Sequence, residues 1–224
     1  MKPERYPLGL SILATCTTCA GLSCATLGLK WGSAPAPGDA LPLAWLYVHI
    51  MLGLTWLLLW PALALRPKAI AVAAPAGALW DALALAIGAL PAVIIAGVVS
   101  AASPNAVGLM FALQAGCALL AAGIIACAPS NPLLAAWAVA ILAGLTLIGP
   151  ILVFISQQFF RSVTGGWLNL FPLVAIGRAA TAVHGPAEAR ALWAAACGQM
   201  LAGVLLLGIR SVQEKTPGTQ VPRA

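Results

Sequence analysis

Residues 157–190 read QQFFRSVTGGWLNLFPLVAIGRAATAVHGPAEAR. Inside this stretch lies one apolar segment, Trp167–Ile176, and it decides how the chain is threaded. Crossing roughly 30 Å of hydrocarbon as a helix takes about 20 predominantly apolar residues. This segment is half that length; Pro172 breaks it from within, and Gly165, Gly166 and Gly185 break the stretch around it. Irregular backbone at membrane depth is tolerated only where protein or a water-filled cavity surrounds it. The stretch therefore predicts a re-entrant or interfacial helical hairpin over about 162–186, set between longer spans.

Those spans are plain to see on either side. The chain has 224 residues, of which 62% are hydrophobic and only 7% charged. Its mean hydropathy is +1.01. A soluble domain carries about 25% charged residues, so a surface this poor in charge requires lipid as its solvent. Six apolar runs are long enough to cross, at about 7–29, 43–65, 78–101, 106–128, 133–156 and 191–209. The joints carry breakers: APAPGD at 34–39, RPKAIAVAAPAG at 66–77, SPN at 103–105 and PSNP at 129–132. Backbone groups in lipid must bond within their own segment, which makes these runs helices. The expected fold is all-α: a polytopic bundle of six transmembrane helices in one domain, 1–210, followed by a disordered tail at 211–224.

Charge sets the expected orientation. With the N-terminus inside, Lys2, Arg5, Arg66, Lys68, Arg210, Lys215 and Arg223 are cytoplasmic, against Lys30, Arg161, Arg178 and Arg190 outside. Seven of the eleven basic residues then lie inside, so the bias toward cytoplasmic Lys and Arg places both termini in the cytoplasm. The formal charge of +6 reports topology here, not a nucleic-acid partner. The basic start MKPER resembles a signal peptide, but the run that follows exceeds the 7–15 residues of a typical signal core, so it reads as a retained first span.

Few residues offer chemistry. Cys16 and Cys19 form a C-x-x-C on one helix face, the weak metal or thiol candidate of the chain. Around them Ala14, Thr17, Thr18, Gly21, Ala25 and Gly28 form the small-residue surface that close helix crossings use, so packing is the plainer account. His49 sits mid-span, where an ionisable residue is a functional suspect, although a hydrogen bond to a neighbouring helix explains it as well. Asp81 reads as a charge in the first part of span three, where the helix dipole favours a carboxylate. Gln114 and Gln199 are suited to interhelical hydrogen bonds, Pro91 and Pro150 predict kinks, and Trp31, Trp45, Trp60, Trp80 and Trp193 read as an interfacial belt. Neither a phosphate-binding G-x-x-x-x-G-K-[ST] nor a G-x-S-x-G or H-E-x-x-H motif occurs, and only five acidic residues are present. Catalytic residues, a bound cofactor and enzymatic activity are accordingly not expected of this chain.

Three stretches carry a resemblance to a known family. AVAAPAGALWDALALAIGALPAVIIAGVV (71–99) resembles the cytoplasmic turn and third span of ABC-2-type transporter permeases. WLNLFPLVAIGRA (167–179) resembles their late W-x-x-x-x-P-x-x-x-x-G region, and ALWAAACGQMLAGVLLLGIRSVQEK (191–215) their last helix. The acidic, Gly-bearing stretch usual after span two is replaced here by RPKAIAVAAPAG. The resemblance implies a permease subunit in a bacterial plasma (inner) membrane, working as a homodimer with a separate ATP-binding subunit that supplies ATP hydrolysis. It implies ATPase docking around Arg66, Lys68, Pro75, Gly77 and Asp81, and an outer hairpin bearing Trp167, Pro172, Gly177 and Arg178. Two alternatives stand beside it: a structural or assembly subunit of a membrane complex, and a thiol- or metal-handling protein using Cys16 and Cys19.

Overall fold

In a computed structural model, residues 41–65, 75–99, 102–128, 132–160, 166–181 and 186–215 are described. All regular structure among them is helical. Helix α1 covers Leu41–Leu54, widens into a π-helical turn over Thr55–Leu59, and continues as an α-helix over Trp60–Ala64. Four long helices follow: α2 (Pro75–Val99), α3 (Pro104–Cys127), α4 (Pro132–Phe160) and, last in the chain, α6 (Pro186–Lys215). Between α4 and α6 lie a 3₁₀ turn, Gly166–Leu170, and the short helix α5, Pro172–Thr181. Windows within α1, α2, α3, α4 and α6 are long and apolar enough to cross a membrane. The protein is thus an integral membrane protein with five such helices among its described residues. The first expected span, at 7–29, lies outside them, as do Ala69–Ala74 and the tail beyond Lys215.

Helix α3 is the axis of the bundle. Its candidate span is 72% buried by protein, against 22% for that of α4. Its start is well specified: Ser103 caps it, its Oγ accepting from Ala106 N–H at 3.2 Å, and Pro104 occupies the first helical position, where a missing N–H is harmless. Apolar side chains gain little from leaving lipid, so close backbone packing must hold such helices together. The extensive contact between α3 and α6 meets that requirement with small residues. A methyl group at Gly203 of α6 would overlap the backbone of Leu119 and Leu120, and one at Gly123 of α3 would sit 2.8 Å from the Gly203 carbonyl oxygen.

The short helix is seated by the same device. Helix α5 contacts α1, α3 and α4, and buries Leu173, Val174, Ala175, Ile176, Ala179 and Ala180. Gly53 of α1 admits Leu173 and Ile176, while Gly149 of α4 admits Phe171 and Val174. Ten helical residues at 1.5 Å each span about 15 Å, half of what a crossing needs.

Several boundaries differ from expectation. Residues 75–77, the end of the joint expected at 66–77 and read there as its closing turn, are instead the first turn of α2, because proline is well placed at a helix start. Asp81 consequently sits in the second turn, half-buried and beyond the short reach of the helix-terminal dipole. Helix α6 runs through Lys215, so Ser211–Lys215, expected in the tail, are helical; Ser211 Oγ donates to the Gly208 carbonyl at 2.8 Å. Pro91 and Pro150 both lie within continuous helices. Pro150 lacks the N–H that would bond to the Thr146 carbonyl, and buried Thr146 turns its own hydroxyl to the Leu142 carbonyl at 2.6 Å.

A matched pair of alanine substitutions tests the α3–α6 crossing. Gly203→Ala is expected to destabilise the protein by about 1–3 kcal/mol, because backbone cannot move aside as a flexible side chain can. Gly198→Ala and Gly208→Ala meet nothing within 4 Å on the same helix and are expected to be neutral or slightly stabilising. Thermal unfolding in one detergent, read by size-exclusion of the surviving fraction, separates the two outcomes.

Candidate functional site: a buried polar node on α3

Polar side chains buried among the long helices are few: His49, Gln114, Thr146 and Gln199. Two of them, His49 of α1 and Gln114 of α3, meet at the bundle's centre. The indole N–H of Trp56 donates to Gln114 Oε1 at 2.7 Å. Gln114 Nε2 donates to the His49 carbonyl oxygen at 2.9 Å and lies 3.3 Å from His49 Nδ1. Trp45 packs against the imidazole in an edge-to-face arrangement, ring centroids 4.2 Å apart. His49, Trp56 and Gln114 are each at most 2% exposed.

Local sequence places these groups. On α1 the buried residues fall in pairs four apart: Val48 and His49, Leu52 and Gly53, Trp56 and Leu57, Trp60 and Pro61. A straight helix repeats every 3.6 residues, so a four-residue spacing drifts around its axis. The wider π turn takes up that drift, with Trp60 N–H bonding to the Thr55 carbonyl and Thr55 Oγ1 donating to the Met51 carbonyl at 2.8 Å. It keeps Trp56 and Trp60 on the face that meets the other helices.

The node extends along α3. One turn beyond Gln114, Cys117 directs its thiol toward Gln199 Oε1 of α6 at 3.9 Å. Gly116 leaves room for that side chain: a Cβ there would lie 3.1 Å from Gln199 Oε1. Two buried nitrogens, His49 Nε2 and Gln199 Nε2, have no hydrogen-bond partner among the described residues. An unsatisfied buried donor costs about 1–3 kcal/mol.

The other expected site residues scatter. Cys16, Cys19, Arg66 and Lys68 lie outside the described residues. Pro75, Gly77 and Asp81 share the first two turns of α2, far in sequence from the node. Trp167, Pro172, Gly177 and Arg178 do form one unit. Trp167 stacks edge-on against Phe171 at 6.2 Å, Pro172 opens α5, and Arg178 Nη1 donates to the buried Asn169 Oδ1 at 2.9 Å, tying the end of α5 back to the 3₁₀ turn. Asn169 was not singled out from sequence; its spacing of nine residues from Arg178 gives no helical signal.

Of the tryptophans expected at the membrane interface, Trp31 lies outside the described residues. Trp45 and Trp60, read as interfacial, are core residues at 4% and 3% exposure, whereas Trp80, at 71%, is exposed. Depth along a span says nothing about which face a residue occupies, and Trp45 and Trp60 lie on the inward face. Cys117 is buried and Cys127 and Cys197 are exposed, all three as free thiols. No group of three potential metal ligands occurs among the described residues.

Comparison with protein-family models, with curated proteins and with solved structures finds no match.

The node's energetics can be measured as a cycle. Interhelical hydrogen bonds in membranes average about 0.6 kcal/mol and reach about 1.7. Gln114 uses both ends of its amide, so Trp56→Phe and Gln114→Leu are expected to show a coupling of about 1 kcal/mol, the double variant losing less than the sum. Additive losses in unfolding free energy would mean that the contact contributes nothing.

Proposed function

We propose that the chain is the membrane subunit of an ATP-driven transporter of the ABC-2 type. It works as a homodimer with a separate ATP-binding subunit, and it has six spans when the apolar run at 7–29 is counted. The observation that carries this reading is α5. A short helix, introduced by a 3₁₀ turn, lies in the chain between the last two long helices and is buried against α1, α3, α4 and α6. That is the element the 157–190 stretch leads one to expect of such permeases, and its burial supports a non-crossing segment within the bundle. Five long apolar helices are in keeping with the same plan.

In this mechanism a partner ATPase docks on the cytoplasmic segment from Arg66 to the start of α2 at Pro75, with Gly77 and Asp81 on the adjoining turns. Closure of two ATPases rocks two copies of the bundle, and the Trp167–Arg178 unit caps the path between them. The rigid α3–α6 pair and the Arg178–Asn169 tie would transmit that motion as one body.

Purification of the tagged chain from its native membrane in mild detergent tests the proposal, with mass spectrometry of what accompanies it. A co-purifying soluble ATPase that is lost in the Arg66→Glu, Lys68→Glu double variant is the expected result. Reproducible recovery of folded chain with no ATPase would count against transport by this route.

A further inference from the structure

His49 is a buried histidine with one ring nitrogen engaged and the other without a partner among the described residues. The chemistry of its neighbours fixes which nitrogen holds the proton. An indole N–H can only donate, so the Gln114 atom 2.7 Å from Trp56 Nε1 is the amide oxygen. The amide nitrogen then faces α1, where it meets the His49 carbonyl, which can only accept. Both ends of the amide agree on one orientation. With two N–H donors on Gln114 Nε2 and His49 Nδ1 at 3.3 Å, Nδ1 must accept. In a neutral imidazole that leaves the proton on Nε2.

We propose that Gln114 locks His49 as the Nε2–H tautomer, and that this buried donor forms a binding site for an oxygen acceptor inside the bundle. The acceptor is an interior water or the carbonyl of a small polar molecule; the two share the chemistry of a neutral oxygen lone pair. A metal or haem iron is the wrong ligand, because binding one at Nε2 needs a lone pair there. That would move the proton to Nδ1 and set N–H against N–H across the 3.3 Å contact with Gln114. A buried polar group of this kind is ordinarily satisfied by a bound water or a ligand. The inference stands apart from the transporter proposal and would survive its failure.

The chain has only two histidines, His49 and His184, so the test is spectroscopically simple. Full-length protein labelled with ¹⁵N-histidine is placed in lipid nanodiscs, and His184→Gln assigns the remaining signals. The expected His49 spectrum is a single tautomer, with a pyrrole-type Nε2 and a pyridine-type Nδ1. Its Nε2–H proton lies downfield, as hydrogen-bonded protons do. A cross-peak from that proton to water identifies water as the acceptor; in deuterated protein, a cross-peak to carbon-bound protons of a retained molecule identifies a carbonyl-bearing ligand, and a downfield proton with neither cross-peak would assign the acceptor to the chain itself and overturn the proposal. A proton on Nδ1, a mixture of tautomers, or an Nε2–H proton without the downfield shift would overturn the proposal. Gln114→Glu supplies a second reading at a pH high enough to ionise the introduced carboxyl: the carboxylate can then only accept, so it should place a proton on Nδ1. If that variant does not fold, the wild-type spectrum decides alone.

Discussion

The packing of α3 against α6 at Gly123 and Gly203 is the contact on which the rest of the bundle depends. Lipid tails are as apolar as leucine, so side-chain burial alone gives these helices little reason to associate. What remains is dispersion between surfaces brought close together, and glycine is what lets two backbones approach. Once α6 is held against α3, Gln199 is carried to Gly116 and Cys117, and the inner face of α3 is left to receive α1 and α2. The same logic recurs where α5 fits against Gly53 and Gly149.

Polar groups then supply direction to an otherwise greasy assembly. Gln114 bonds to α1 through both ends of its amide, so α1 can take only one rotation relative to α3. The π turn in α1 is the local adjustment that makes this possible, and such turns often occur at functional positions. Arg178 and Asn169 do for the short helix what Gln114 does for α1. Specific geometry in this protein thus rests on a few polar contacts laid over glycine-permitted packing.

Much of the architecture was legible in the sequence because length is a blunt constraint. Apolar runs of twenty or more residues between Pro- and Gly-bearing joints mark helices regardless of detail, and the brevity of Trp167–Ile176 marked a segment different from the rest. What sequence could not supply was rotation and register. Trp45 and Trp60 looked interfacial because they flank an apolar run, yet only the π turn and the position of Gln114 show which way α1 faces. His49 and Gln114 were each suspected separately; their pairing across 65 residues depends on how α1 and α3 are set against each other. Pro75 is ambiguous in the sequence, since a proline both ends loops and begins helices, and here it begins one. Nothing marked Gly53 or Gly149 among 22 glycines as the ones that seat α5.

The transporter proposal depends on α5 lying within the bundle without crossing the membrane, which would leave the segments before and after it on one side. Membrane-impermeant thiol labelling measures this directly, in a background whose six native cysteines are replaced and whose folding is confirmed by size-exclusion. Ser162→Cys and His184→Cys are labelled separately, in sealed vesicles and again after permeabilisation. Both positions are expected to react from the same side. Reaction from opposite sides would make α5 part of a seventh crossing and would contradict the topology on which the transporter proposal stands.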